Sequence, residues 1–145
     1  MAVEYIHYGH KKFQINRFVP IRNEELRNKP FGGLWASRTD AKYGWKEWNE
    51  DEQFRECEEE NSFKFTLSTN ANVLEIHSHK DLSKVPEVKK SIFNRSFLPD
   101  FEKLLSDGVD AIEFFISDDR ELYWSLYGWD CDSILIMNPD VVREI

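Results

Sequence analysis

The segment Phe63-Lys64-Phe65-Thr66-Leu67-Ser68 alternates large apolar side chains with polar ones. A period of two marks a strand with one buried face, and such a strand demands a sheet to belong to. Asn70-Ala71-Asn72 supplies a turn, and Val73 to Ile76 reads as the returning strand. Further strand-like runs are Val3 to Tyr8, Gly32 to Ala36, Val109 to Ile116 and Ile134 to Met137, all rich in β-branched, aliphatic or aromatic residues. Arg38 to Glu59 reads as mainly helical, with Tyr43, Trp45, Trp48 and Phe54 as inward positions. Asp100 caps a helix carrying Phe101, Leu104 and Leu105 and ending near Gly108. Ser117 caps another with Leu122, Tyr123 and Leu126, closed by Gly128. His77 to Pro99 reads as short helices broken at Pro86. The strands are short, the connections look like hairpins, and regular βαβ alternation is missing. The expected class is α+β, two small sheets packed with flanking helices. At 145 residues, without internal repeat or linker, the chain is expected to be one domain spanning 1–145.

Charge narrows the functions. The formal net charge of −8 repels phosphate backbones and argues against generic nucleic-acid binding. Much of the acid lies from Glu47 to Glu60, either a solvated helix face or a docking surface for a basic partner. Two cysteines, Cys57 and Cys131, make no disulfide scaffold and point to a reducing compartment. No apolar run approaches the ~20 residues that cross a bilayer. Met1-Ala2-Val3-Glu4-Tyr5 lacks a basic stretch followed by an apolar one. A soluble, cytoplasmic protein without membrane contact is expected.

Three segments fit a site for a flat aromatic ligand. In Ile6-His7-Tyr8-Gly9-His10, a histidine ending an early strand can bond a ribose hydroxyl through a ring nitrogen. In Gly33-Leu34-Trp35-Ala36-Ser37, the glycine admits close backbone approach. Trp35 and Tyr43 offer two sides of a slot, and Ser37 a hydroxyl for a carboxamide. In the third, Asp132 stands just before a strand, where a carboxylate can accept a ribose hydroxyl and stabilise positive charge at a glycosidic carbon. Asp130 and Asp132 also suit a turn. His77-Ser78-His79 resembles a metal pair, but no further ligand lies at zinc spacing, so no metal is expected. Gly32-Gly33 is not followed by the Gly-Lys-Ser/Thr of a phosphate loop. Cys131 would need a histidine beside it for thiol chemistry. Trp45 and Trp48, three apart, share one helix face.

The order of these segments resembles the ADP-ribosyltransferase superfamily. The matching residues are His7 and Gly9, then Gly33 to Ser37 with Tyr43, then Asp110-Ala111-Ile112, then Ser133 to Pro139. The resemblance implies a split two-sheet core that grips NAD in an extended cleft. It implies that His7 contacts the adenosine ribose and that Trp35, where the family has tyrosine, stacks on nicotinamide with Tyr43. The family's catalytic glutamate aligns with Ser133. Asp132, one residue earlier, and Glu113, on the preceding strand, are the candidates for its role. The expected activity is NAD-dependent transfer of ADP-ribose to a protein or other acceptor. The alternatives are a non-catalytic regulator that sequesters an ADP-ribose-type nucleotide, in the manner of a small bacterial or phage-encoded protein, and an acidic protein-interaction module.

Overall fold

The computed structural model describes residues 2–24, 29–52, 58–88, 97–126 and 129–145. Seven strands form one sheet in the order β4-β5-β6-β2-β1-β3-β7. They are β1 (Tyr5–Tyr8), β2 (Leu34–Arg38), β3 (Ser62–Leu67), β4 (Val73–Ile76), β5 (Ala111–Phe114), β6 (Ser133–Ile136) and β7 (Val142–Glu144). Among the described residues three short helices accompany them: α1 (Trp45–Glu52), α2 (Phe101–Ser106) and α3 (Arg120–Ser125). The class is therefore mixed α and β, but the strands join into one sheet where two small packed sheets were expected, because β2 pairs with both β6 and β1. β2 joins two halves of the sheet. Leu34, Trp35 and Ala36 pair with β6, and Ser37 and Arg38 with β1.

The alternation seen in Phe63, Phe65 and Leu67 does produce a strand, β3. It pairs with β1 and β7, and not with β4 as the hairpin expectation required. β4 instead lies parallel to β5, at the far end of the sheet. The Asn72 N–H donates to the Asp110 carboxylate at 2.8 Å, and the Asn72 side chain donates to the Gly108 carbonyl at 2.9 Å. These bonds tie the turn to the entry of β5. Asn138 donates to the other Asp110 oxygen at 2.9 Å. Asp110 thus staples the ends of β4, β5 and β6.

Each face of the sheet carries a core. Ile76, Ile112, Phe114, Leu135 and the partly buried Trp35 pack with Leu82, Phe101, Leu104, Leu122 and Trp129. Leu34, Ala36, Tyr5, Phe63, Phe65, Ala111, Ile134 and Ile136 form the opposite core, under Phe13 and Phe18. β5 and β6 are buried on both sides, as central strands between two layers must be.

The helices are shorter than their sequence patterns. Residues 39–44 are turn, so α1 begins only at Trp45, and Phe54 lies outside the described residues, as do Cys57 and Gly128. Asp100 caps α2 as expected, accepting from the Lys103 N–H at 3.0 Å. α3 is capped by Asp119, which accepts from the Glu121 N–H at 3.0 Å. Ser117, the expected cap, sits in a 3₁₀ turn because its hydroxyl and N–H are both taken by Asp132. No helix among the described residues is long and apolar enough to cross a membrane.

Candidate functional site

After β1, Phe13 and Phe18 pack against the Phe63 core, and this stretch borders a groove of about 620 Å³. Its floor is Gly32, Gly33 and Leu34. Both glycines have positive φ, +77° and +79°. A Cβ on Gly32 would land on the Val19 and Pro20 carbonyl oxygens, and one on Gly33 would meet the Leu135 side chain. The turn is therefore closed to larger residues, and the Gly33 N–H is fixed to the Val19 carbonyl at 2.9 Å. Farther along, Arg22 and Phe31 exchange backbone bonds of 3.1 and 2.8 Å. Asn23 anchors this bridge to α2: its Oδ1 accepts from the Phe101 N–H at 2.9 Å, and its Nδ2 donates to Asp100 at 2.8 Å.

The walls combine rings with cations. Phe13, Phe18, Phe31 and Phe63 line the groove together with His7, His10, Lys12, Arg17 and Arg22. The Arg22 guanidinium lies 4.8 Å above the centre of the Phe31 ring. Among the described lining residues there is no Asp or Glu. None of the ion pairs among the described residues takes up Lys12, Arg17 or Arg22. In a chain of net charge −8 this is a local reversal of sign.

His7, Gly33 and the backbone of Trp35 do meet in this groove. His7 Nδ1 lies 2.6 Å from the Trp35 carbonyl, which can only accept, so Nδ1 carries the proton. Nε2 then accepts from His10 Nδ1 at 3.0 Å, and the two rings stack at 5.2 Å. Burial, more than the neighbouring His10, holds the His7 pKa below its ordinary value. The ring nitrogen expected to meet a ribose is thus engaged by His10. Gly9 does not line the groove; its N–H is bonded to the Asn61 carbonyl at 2.8 Å.

The expected ring slot is built differently. The Trp35 ring lies on the opposite face of the sheet, 4.8 Å from Trp129 and 6.4 Å from Trp45. Lys29 Nζ stands 5.5 Å from the Trp35 ring centre and 5.2 Å from that of Trp45, and burial lowers its pKa. Tyr43 is elsewhere, bonding Asp51 at 2.8 Å and bordering a shallow pocket with Tyr123 and Trp124. Ser37 is buried, donating to the Asp132 carbonyl at 2.8 Å and accepting from the Trp45 N–H at 3.0 Å.

Asp132 and Glu113 come together in a second pocket of about 260 Å³ with Arg38, Lys42, His77 and Asp118. It shares no lining residue with the groove. Both carboxylates are committed. Asp132 accepts from the Ser117 N–H at 2.8 Å and from its hydroxyl at 2.6 Å. Glu113 accepts from Arg38 at 2.8 and 3.1 Å and from the Tyr5 hydroxyl at 3.3 Å. Burial raises the Glu113 carboxyl above the usual range, and the Arg38 guanidinium opposes this without offsetting it. Ser133, the position of the family's glutamate, is buried with its hydroxyl directed to the Cys131 carbonyl at 3.4 Å. Of the histidine pair, His77 stacks on Phe115 at 4.0 Å between Glu75 and Asp118, while His79 bonds Ser125 at 2.9 Å.

Lys12, Arg17, Arg22 and Phe31 were not legible as site residues in any motif. The available signal was distributional: no Asp or Glu occurs between Glu4 and Glu24, although the chain carries 27 acidic residues. No protein-family model, curated protein or solved structure matches the chain.

Proposed function

We propose that this protein is an ADP-ribosyltransferase-like domain that binds NAD or a related ADP-ribose nucleotide in the groove over Gly33 and holds it without transferring ADP-ribose. The observation that carries this reading is the lining of the groove: phenylalanine rings, three cationic side chains and no carboxylate among the described lining residues, over a glycine turn. Rings accept a base by stacking, and arginine and lysine accept phosphates. The adjacency of β6, β2 and β1 supports the resemblance, since these strands carry three of its four motifs. Transfer would pass through a ribose cation, which needs a negative charge beside it. Asp132 and Glu113 lie in a different pocket, tied to Ser117 and Arg38. That commitment supports sequestration over turnover.

The test is a thermal-shift and tryptophan-fluorescence titration with NAD, ADP-ribose and nicotinamide, with free nicotinamide assayed in the same samples. NAD and ADP-ribose are expected to stabilise the fold and nicotinamide alone is not, with no release above the buffer control. Absence of stabilisation by both NAD and ADP-ribose would remove these two as the ligand. Nicotinamide release that depends on the protein would restore the transferase.

A further inference from the structure

The groove holds more positive charge than the bridging phosphates of NAD use. NAD carries two phosphodiester-type charges and a cationic ring, a net of roughly −1 at neutral pH, whereas an added phosphate monoester brings about −1.5 to −2. The groove offers Lys12, Arg17 and Arg22 as fixed cations, with His10 beside them and no carboxylate among its described lining residues. Glu144, which reaches the Phe13 N–H at 2.9 Å, is not among those lining residues.

The cations come from two stretches of the chain. Arg22 stands on the backbone bridge to Phe31, its guanidinium laid on that ring. Lys12 and Arg17 belong to the earlier stretch that carries Phe13 and Phe18, and Arg17 ends a 3₁₀ turn (Ile15–Arg17). Three cations on one lining can meet more phosphate charge than a pyrophosphate brings. Arginine adds a geometric preference, because its planar fork matches the oxygens of a terminal phosphate bidentately.

We propose that the ligand of this groove is a nucleotide bearing a terminal phosphate group, and that Arg17 and Arg22 select it over NAD. The proposal rests on the nucleotide reading above. The shared chemistry is a terminal phosphate group, supplied either by the 2′-phosphate monoester of a dinucleotide such as NADP or by the γ-phosphate of a nucleoside triphosphate such as ATP.

Calorimetric titration of the whole chain with NADP, ATP and NAD at low and moderate salt tests it. NADP or ATP is expected to bind about tenfold or more tightly than NAD, the yield of one charge-assisted hydrogen-bonded contact. The advantage should shrink as salt rises. The order of NADP and ATP tells which source of the terminal phosphate the groove takes. In the double variant Arg17→Ala/Arg22→Ala the advantage should fall below about twofold, while NAD binding changes less. Both side chains are exposed, so an unchanged circular dichroism spectrum and melting temperature will confirm that the variant folds. Equal affinity for NADP, ATP and NAD would overturn the proposal and leave the nucleotide reading standing. So would an advantage that survives the double variant. Failure of all three to bind would overturn both.

Discussion

The ion pair of Arg38 and Glu113 is expected to respond asymmetrically to loss of either partner. Glu113 is only 4% exposed at its side chain and Arg38 is 27% exposed. Removing the cation by Arg38→Met leaves a buried carboxylate with only the Tyr5 hydroxyl, at 3.3 Å, as partner. A buried charge stripped of its counter-ion costs about 3–5 kcal/mol. Glu113→Gln leaves a partly hydrated guanidinium that still reaches Glu75 at 3.3 Å, and the amide oxygen still accepts one bond. Its cost is expected to be about 1–2 kcal/mol. The pH dependence has a definite sign. The folded carboxyl titrates above its unfolded value of about 4.3, and further above it without Arg38, whose charge lowers it. The folded state therefore prefers the protonated acid. The penalty is absent below the unfolded pKa and grows as pH rises toward the folded one, at about 1.4 kcal/mol per unit within that window. Urea unfolding followed by tryptophan fluorescence at pH 5 and pH 8 reads this directly. The Arg38→Met deficit should be markedly smaller at pH 5, whereas that of Glu113→Gln, which removes the titrating group, should be smaller at pH 8. The double variant should be more stable than Arg38→Met alone at pH 8, a non-additivity expected of contacting residues. An Arg38→Met cost that is equal at both pH values, or smaller than that of Glu113→Gln, would refute the reasoning.

Gly32→Ala is expected to destabilise the chain by about 3 kcal/mol or more, the sum of a strained positive φ and a collision with backbone that cannot move aside. The floor of the groove should be lost with it. Urea midpoints measure the first effect; a Gly32→Ala variant within about 0.5 kcal/mol of the parent would contradict the turn geometry. The Cys131 thiol is pushed up to about 12, by burial first and by Asp132 and Asp130 next. Iodoacetamide at pH 7.5 should leave Cys131 unmodified in the native state and alkylate it in denaturant, as read by peptide mass spectrometry. Rapid native labelling would show an accessible thiolate.

The legible features were those carried by local pattern. Phe63, Phe65 and Leu67 could only be a strand with a buried face, and β3 is that strand. The near-continuous apolar runs around Ile112 and Ile134 became strands buried on both sides. Asp100 caps its helix because the bond to the Lys103 N–H spans three residues and needs nothing distant. The glycine pair before Trp35 was legible as a close-approach turn, and it floors the groove. Illegible features depended on partners far along the chain. β4 pairs with β5 and not with β3 because Asp110 accepts from the Asn72 N–H across 38 residues. Ser117 lost its expected cap role to Asp132, and Trp35 turned its ring to the face opposite His7 because strand alternation leaves it no choice. The sequence by itself determined the mixed α and β character, most strand positions and the acid-free stretch from Tyr5 to Asn23. Only the tertiary structure decided that this stretch folds over Gly33 as a cationic groove and that Glu113 and Asp132 lie outside it. Local propensity acts over a few residues, whereas placing charges beside one another requires long-range pairings that no short motif encodes.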